Sequence, residues 1–248
     1  MEIDVECFAT PKQGAAPDEY EDASHPRAHA RVTVGSYTCA VADGATESSF
    51  SRLWAQLLVD GYAASLSFPD FERVVASASA EWDRQVRSRV LPWYAQEKVT
   101  EGAFAALAGV HISEEIDGSG AASFTGEAIG DTCVFHVRGQ SLLASNPMSQ
   151  SVEFTSRPFL VSTGPDFAAG EALCRFQGTL HSEDLLLLAT DAFSSWILEE
   201  VERGECPFPL IRDLGEPGCV PFDQLVTDLR SSGRLKNDDV TLLRLTCF

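Results

Sequence analysis

No CxxC pair occurs among the seven cysteines, and their number is odd. That spacing excludes a zinc ribbon and a thioredoxin-type redox site. Cys39 and Cys133 lie inside apolar strand-like runs, where a reduced thiol behaves as a small hydrophobe. Positive charge is scarce as well: 18 Lys and Arg stand against 37 Asp and Glu, a net charge of −19. Such a surface repels nucleic-acid phosphates and anionic membranes, which excludes both as broad-surface partners. A phosphorylated substrate stays compatible, because the local charge of a bound metal outweighs the overall field. No apolar run approaches the roughly 20 residues that span a bilayer. The opening MEIDVECF lacks the basic start and apolar stretch of a signal peptide, so a cytoplasmic protein is expected. Repeats, low-complexity blocks and linkers are missing too, and residues 1–248 read as one domain.

What is there is an ordinary globular balance, 44% hydrophobic and 22% charged, able to fill a sizeable core. Residues 2–9 alternate as a first strand that ends at Thr10-Pro11. Residues 28–34 and 37–42 read as a hairpin about Gly35-Ser36. Ser48 and Ser49 are candidate caps for a helix running to about Leu66, with Phe50, Leu53, Trp54, Leu57, Leu58 and Tyr62 on one face. A second helix starts near Pro69, carries Phe71, Val74, Val75, Ala78, Trp82 and Val86, and is disturbed at its end by Pro92. From Gly102 the period changes to strands, broken at Asp117-Gly118, Gly130-Asp131 and Gly139-Gln140. Residues 146–175 read as a loop-rich insertion with a short helix at 167–173. LLLLAT is a buried strand, DAFSSWILEEVER and PFDQLVTDLRSSG are helices, and DVTLLRLTCF closes the chain as a strand. The order is that of a mixed α/β domain with helices packed outside sheets.

Four aspartates sit where these strands begin or end: Asp22, Asp43, Asp191 and Asp238. The expected hairpin sets Asp22 near Asp43, and antiparallel pairing of the last two strands would set Asp191 near Asp238. Carboxylates gathered at one edge repel one another unless a hard cation such as Mg²⁺ or Mn²⁺ neutralises them. Two such ions held close together lower the pKa of a shared water and clamp a phosphoryl group. Taken singly, each has a plainer explanation: Asp191 as a helix N-cap, Asp43-Gly44 as a turn.

The ordered set resembles the metal-dependent protein phosphatases of type 2C, the PPM family, in a form similar to compact bacterial members. Glu21-Asp22, VADG at 41–44, AIGDT at 128–132, LLLLATDA at 185–192 and DDVT at 238–241 follow that family's order of motifs. The resemblance implies a four-layer α-β-β-α sandwich with two central, mainly antiparallel sheets and a flap at about 146–175. It implies two Mn²⁺ or Mg²⁺ ions and a weaker third. Asp43 would bridge the two, with the carbonyl of Gly44 also bound. Asp191 and Asp238 would hold the second, Asp22 and Glu21 would contact metal-bound waters, and Asp131 would serve the third. Asp22, Asp43, Asp191 and Asp238 are thereby the catalytic set. The implied activity is a serine/threonine protein phosphatase in which a metal-bridging water attacks phosphorus directly. The expected partner is a phosphorylated protein and the expected state a monomer.

The chain departs from the family pattern where substrate is handled. Residues 14–20 read GAAPDEY, without the basic residue that precedes ED, which leaves Arg27 and Arg31 as local cations. DGHGG is replaced by DGATESS, so Ala45 stands where the family has a histidine, and His25 and His29 are the nearby proton donors. The second DG is DA and DN is DD, changes that keep each liganding Asp. Two other readings stay open: a catalytically weak phosphoprotein-binding or regulatory domain, and a hydrolase of a small phosphorylated metabolite.

Overall fold

The computed structural model describes residues 2–33, 35–46, 48, 50–65, 67–89, 99–114, 121–165 and 167–248. Twelve strands are present: β1 Glu2–Thr10, β2 Ala23–His25, β3 Ala30–Thr33, β4 Ser36–Gly44, β5 Phe104–Glu114, β6 Ala122–Ile129, β7 Cys133–Arg138, β8 Ser141–Asn146, β9 Val161–Ser162, β10 Cys174–Leu180, β11 Asp184–Ala189 and β12 Val240–Cys247. One six-stranded sheet has the order β3-β1-β12-β11-β7-β8. The other runs β10-β6-β5-β4-β2, with β9 added on β5. Every strand pairing in the two sheets is antiparallel.

Period-2 alternation explains how the sheets stack. On β11, Leu185, Leu187 and Ala189 face a helical layer, while Leu186 and Leu188 face the opposing sheet. Both faces are buried, which is why LLLLA is an unbroken apolar run. On β4, Cys39 and Val41 join the core between the sheets, and Ala40 and Ala42 lie under the other helices. The first helical layer is α1 (Ser51–Ala63) and α2 (Phe71–Arg87). The second is α3 (Asp191–Glu202), the short α4 (Phe208–Arg212) and α5 (Phe222–Ser231). Three apolar cores between four layers give the expected α-β-β-α sandwich. Among the described residues no helix is long and apolar enough to cross a membrane.

The apolar stripe of α2 is buried as its 3.6-residue spacing requires, from Phe71 to Val86, and the Asp70 side chain caps it by accepting from the Arg73 amide. On α1, Trp54, Leu58 and Tyr62 are buried, but Ser48 does not cap the helix: Phe50 holds the N-cap position at φ 59°, and the Ser48 hydroxyl donates to the Ala45 carbonyl, while Ser49 lies outside the described residues. The helix ends at Ala63, short of the expected 66.

Three further expectations fail. Residues 28–34 and 37–42 are not a hairpin, because β3 pairs with β1 in one sheet and β4 with β2 and β5 in the other. Ala30 and Val32 of β3 pack on the core between the sheets, a surface either sheet can reach, so the Gly35-Ser36 turn signal did not decide the partner. The helix at 167–173 is only a 3₁₀ turn at Gly170–Ala172, broken where Gly170 takes φ 49°. The insertion expected to reach 175 stops earlier, because residues 174–180 form the edge strand β10 on β6. The expected breaks at Pro92 and Asp117-Gly118 lie outside the described residues.

Far from the strand-end acids, the wholly buried Asp184 accepts from Arg138 Nε and Nη2 at 2.8 Å each, from His136 Nε2 at 3.0 Å and from the His181 amide at 3.0 Å. Burial raises its carboxyl, but the Arg138, His181 and His136 bonds outweigh that and hold it at about 2. A depressed pKa contributes stability above the unfolded value of 3.8 and loses it as pH falls through 2. Asp184→Asn is therefore expected to lower stability by about 2 kcal/mol at pH 7, with the difference vanishing near pH 2, in urea unfolding followed across pH.

Candidate metal centre

The acids meet because two strand registers end at the same place. Ala23 lies opposite Ala42 in the β2–β4 pair, which puts Asp22, just before β2, level with Asp43 near the end of β4. The edge expected from a hairpin is thus made by β2 instead. Across the sandwich, Ala189 lies opposite Leu242, and the Thr190 amide donates to the Thr241 carbonyl at 3.1 Å. Asp191 opens α3 directly after β11, and Asp238 lies two residues before β12. Asp131 follows Gly130 in the β6–β7 connection, and Cys133 faces Ala189. Gly130 has φ 93°, and a Cβ there would meet the Ala106 side chain at 2.5 Å, so only glycine fits the turn that delivers Asp131.

Asp43, Gly44, Asp131, Asp191 and Asp238 line one open cleft of about 710 Å³, together with Arg157 and Lys236. Asp22 does not reach that cleft. It is 4% exposed and sits behind Asp43, with Oδ2 accepting from Thr190 Oγ1 at 3.0 Å and from Thr241 Oγ1 at 2.8 Å. Its Oδ1 is buried without a partner. Glu21 faces the adjoining cavity of about 570 Å³, where the Ser51 hydroxyl donates to it and Lys12 lies 3.6 Å away. Arg27 and His25 are spent on Asp60, and His29 and Arg31 on Asp4, so none of these four serves the cleft.

Neighbouring groups fix the acids. Asp239, buried, accepts from the amides of Lys12 at 2.8 Å and Glu21 at 2.7 Å, which ties the N-terminal loop to the turn before β12. A Cβ on Gly44 would lie 2.8 Å from the Glu21 carbonyl and 3.0 Å from the Ser51 backbone, so the strand end approaches that loop as closely as glycine allows.

Burial pushes the Asp22 carboxyl well up against its Thr241 bond, and repulsion from Asp239 and Asp191 adds to it. Asp43 is raised by burial and then by Asp22, Asp191, Asp131 and Asp238. Asp131 is raised to about 7, by burial first and then by Asp191. A cation at the rim of the cleft opposes this field: Lys236 Nζ lies 3.1 Å from Asp191 and 2.7 Å from Asp238. The Lys236 ammonium is held protonated by those two acids against the effect of burial. Among the described residues no three carboxylate, imidazole or thiolate groups close round one point as the ligands of a bound ion do. The donor set still suits a hard divalent cation: it is all oxygen, includes an orphaned buried carboxylate oxygen and carries unbalanced negative charge.

Sequence reasoning missed Lys236, Arg157, Thr190 and Thr241. The two threonines had a signal, since each adjoins an acid motif at a strand end; Arg157 had none, being one of several polar residues in an irregular segment.

No family model matches the chain, and no curated relative matches it. Solved structures do. The serine/threonine phosphatase PstP/Ppp of Mycobacterium tuberculosis superposes with a TM-score of 0.62 at 13% identity, covering 100% of this chain and 99% of its own. The catalytic domain of PstP in complex with two manganese ions gives 0.59 at 14% identity, covering 98% of each chain. Stp1 of Staphylococcus aureus gives 0.59 at 12% identity, covering 98% of this chain and 94% of its own. The chain has the type 2C phosphatase fold. Within that fold the five cleft and strand-end aspartates stand at one end of the sandwich, where the sheets' loops meet.

The raised acids set a pH dependence. A carboxyl raised in the folded state contributes stability below its unfolded pKa of 3.8, and Asp131 loses that contribution as pH rises through about 7. Asp22 and Asp43 act in the same direction, whereas the contribution of Asp184 is constant above pH 3.8 and falls only below it. Chelator-treated protein is expected to melt on the order of 5 °C lower at pH 8 than at pH 5, and Asp131→Asn to shrink that difference. Differential scanning calorimetry at the two pH values reads it.

Proposed function

We propose that this chain is a divalent-metal-dependent phosphatase acting on phosphoserine and phosphothreonine in proteins. The observation that carries the reading is the convergence of Asp43, Asp131, Asp191 and Asp238 on one cleft of a type 2C fold. Asp43 and Gly44 would hold one Mn²⁺ or Mg²⁺ ion, Asp191 and Asp238 would complete the site of a second, and Asp131 would serve a weaker third. Asp22 and Glu21 would support the first from behind and beside it. Bound ions of this kind supply positive charge to a phosphoryl group and acidify water.

The chain's own groups do the rest. Arg157 sits in the segment between β8 and β10, exposed at the cleft wall, with its guanidinium in no ion pair or hydrogen bond among the described residues. A guanidinium so placed can take two phosphate oxygens at once, a role for which residues 14–20 supply no basic side chain. The segment from 147 to 173 would thus act as the flap beside the cleft, presenting that arginine to incoming phosphoprotein. Thr190 and Thr241 hold the Asp22 carboxylate in one orientation, so the donor set is in place before substrate arrives. The cleft of about 710 Å³ is open to solvent, so a phosphorylated side chain can enter it while still attached to a polypeptide. The complete acid set, with a free arginine beside it, favours turnover over the binding-only reading.

Turnover of p-nitrophenyl phosphate with Mn²⁺ tests the reading. Wild type is expected to be metal-dependent, and Asp43→Asn to lose on the order of 10²-fold or more in kcat/KM. Metal-independent turnover, or an unchanged rate in the variant, would sink it. Arg157→Ala is expected to raise KM for a phosphopeptide by about tenfold while leaving the melting temperature unchanged, because the side chain is exposed and unpaired.

A further inference from the structure

The two halves of the acidic centre are not equally neutralised. Among the described residues, Asp22 has only the hydroxyls of Thr190 and Thr241 as partners, and Asp43 has no cationic partner. Asp191 and Asp238 share one: the Lys236 ammonium, 3.1 Å from Asp191 Oδ2 and 2.7 Å from Asp238 Oδ2. Lys236 belongs to the loop between α5 and β12, in the same tight segment that carries Asp238. Loop geometry therefore delivers the acid and its counter-cation together. The second acid, Asp191, is the first residue of α3, so the lysine bridges two elements rather than pairing within one.

A carboxylate oxygen that accepts from an ammonium at this distance is not free to bind a divalent ion at full strength. The side chain of Lys236 is 64% exposed, so the ammonium can leave for water without disturbing the core. We propose that Lys236 is a resident cation on the Asp191–Asp238 pair, which a second divalent ion must displace, so that this half of the centre takes metal more weakly than the half built on Asp43. The inference rests on the metal-dependent reading given above. It makes the chain a phosphatase whose second metal position is set by competition, loading only when divalent ions are plentiful.

The test is calorimetric titration of Mn²⁺ into chelator-treated wild type, Lys236→Met and Lys236→Arg, with thermal unfolding of each alongside. Wild type is expected to show a tight and a weak class of Mn²⁺ uptake. Lys236→Met should tighten the weak class on the order of tenfold, the scale of two half-exposed ion pairs, and leave the tight class within about twofold. It should also melt lower than wild type without metal and equally at saturating Mn²⁺, while Lys236→Arg keeps the weak class. A weak class that is unchanged or further weakened in Lys236→Met overturns the inference. Lys236→Gln gives the same reading should methionine disturb the loop. Wild type that takes up no Mn²⁺ at all overturns the metal reading itself, a distinct result from uptake that is indifferent to Lys236.

Discussion

Carboxylates crowded at one end of a two-sheet sandwich repel one another, and the loops and strand ends around them are arranged to contain that repulsion. Two like charges about 4 Å apart near a protein surface repel by about 4 kcal/mol, and burial makes each one costlier to ionise. Asp22, Asp43 and Asp131 are all pushed up by burial and by their neighbours. A fold that keeps such a cluster must either protonate it, pair it or fill it with cations. This chain pairs only part of it, through Lys236, and leaves Asp22 with an orphaned oxygen. Negative charge left unbalanced in a cleft is a destabilising feature that a stability-optimised core would not carry.

Holding the cluster together takes a frame built from hydroxyls and backbone amides rather than from counter-charges. Thr190 and Thr241 reach from the paired ends of β11 and β12 to Asp22, which precedes the edge strand of the opposite sheet. That contact joins the two sheets at the site itself. Asp239 collects the amides of Lys12 and Glu21, and Arg230 donates to the carbonyls of Pro11 and Asp238. The N-terminal loop and the turn before β12 are thereby fixed to each other, although they lie near opposite ends of the sequence. The three apolar cores set the distance between the layers, and these polar ties set the register of their ends.

Much of this was legible in the sequence because it is written in periods and interruptions. An apolar run stopping on Asp43 or Asp191 announces both a buried strand and the placement of a carboxylate at its end. The stripe of α2 from Phe71 to Val86 is a 3.6-residue pattern that only one buried face satisfies. Choices among equivalent partners were not legible. β3 could have paired with β4 through a short turn and instead joins β1, since both sheets offer the same apolar interior. β10 is an edge strand with mixed burial, so its alternation is weak, and Phe167, Ala169 and Leu173 pack beneath α1 and α2 without a helix. Side chains that enter a site from irregular segments, Arg157 and Lys236, carry no periodic signal. The resemblance to type 2C phosphatases located the acids by motif order but said nothing of these two cations, because they stand outside the motifs.

On the proposed function, the carboxylate cluster holds divalent ions between the strand ends. Anomalous diffraction from crystals grown with Mn²⁺ tests it most directly. Manganese peaks are expected between Asp43 and the Asp191–Asp238 pair, with the Lys236 ammonium moved off those acids wherever the second peak is full. A crystal in millimolar Mn²⁺ showing no peak in that cleft, with Lys236 still bridging Asp191 and Asp238, would contradict it.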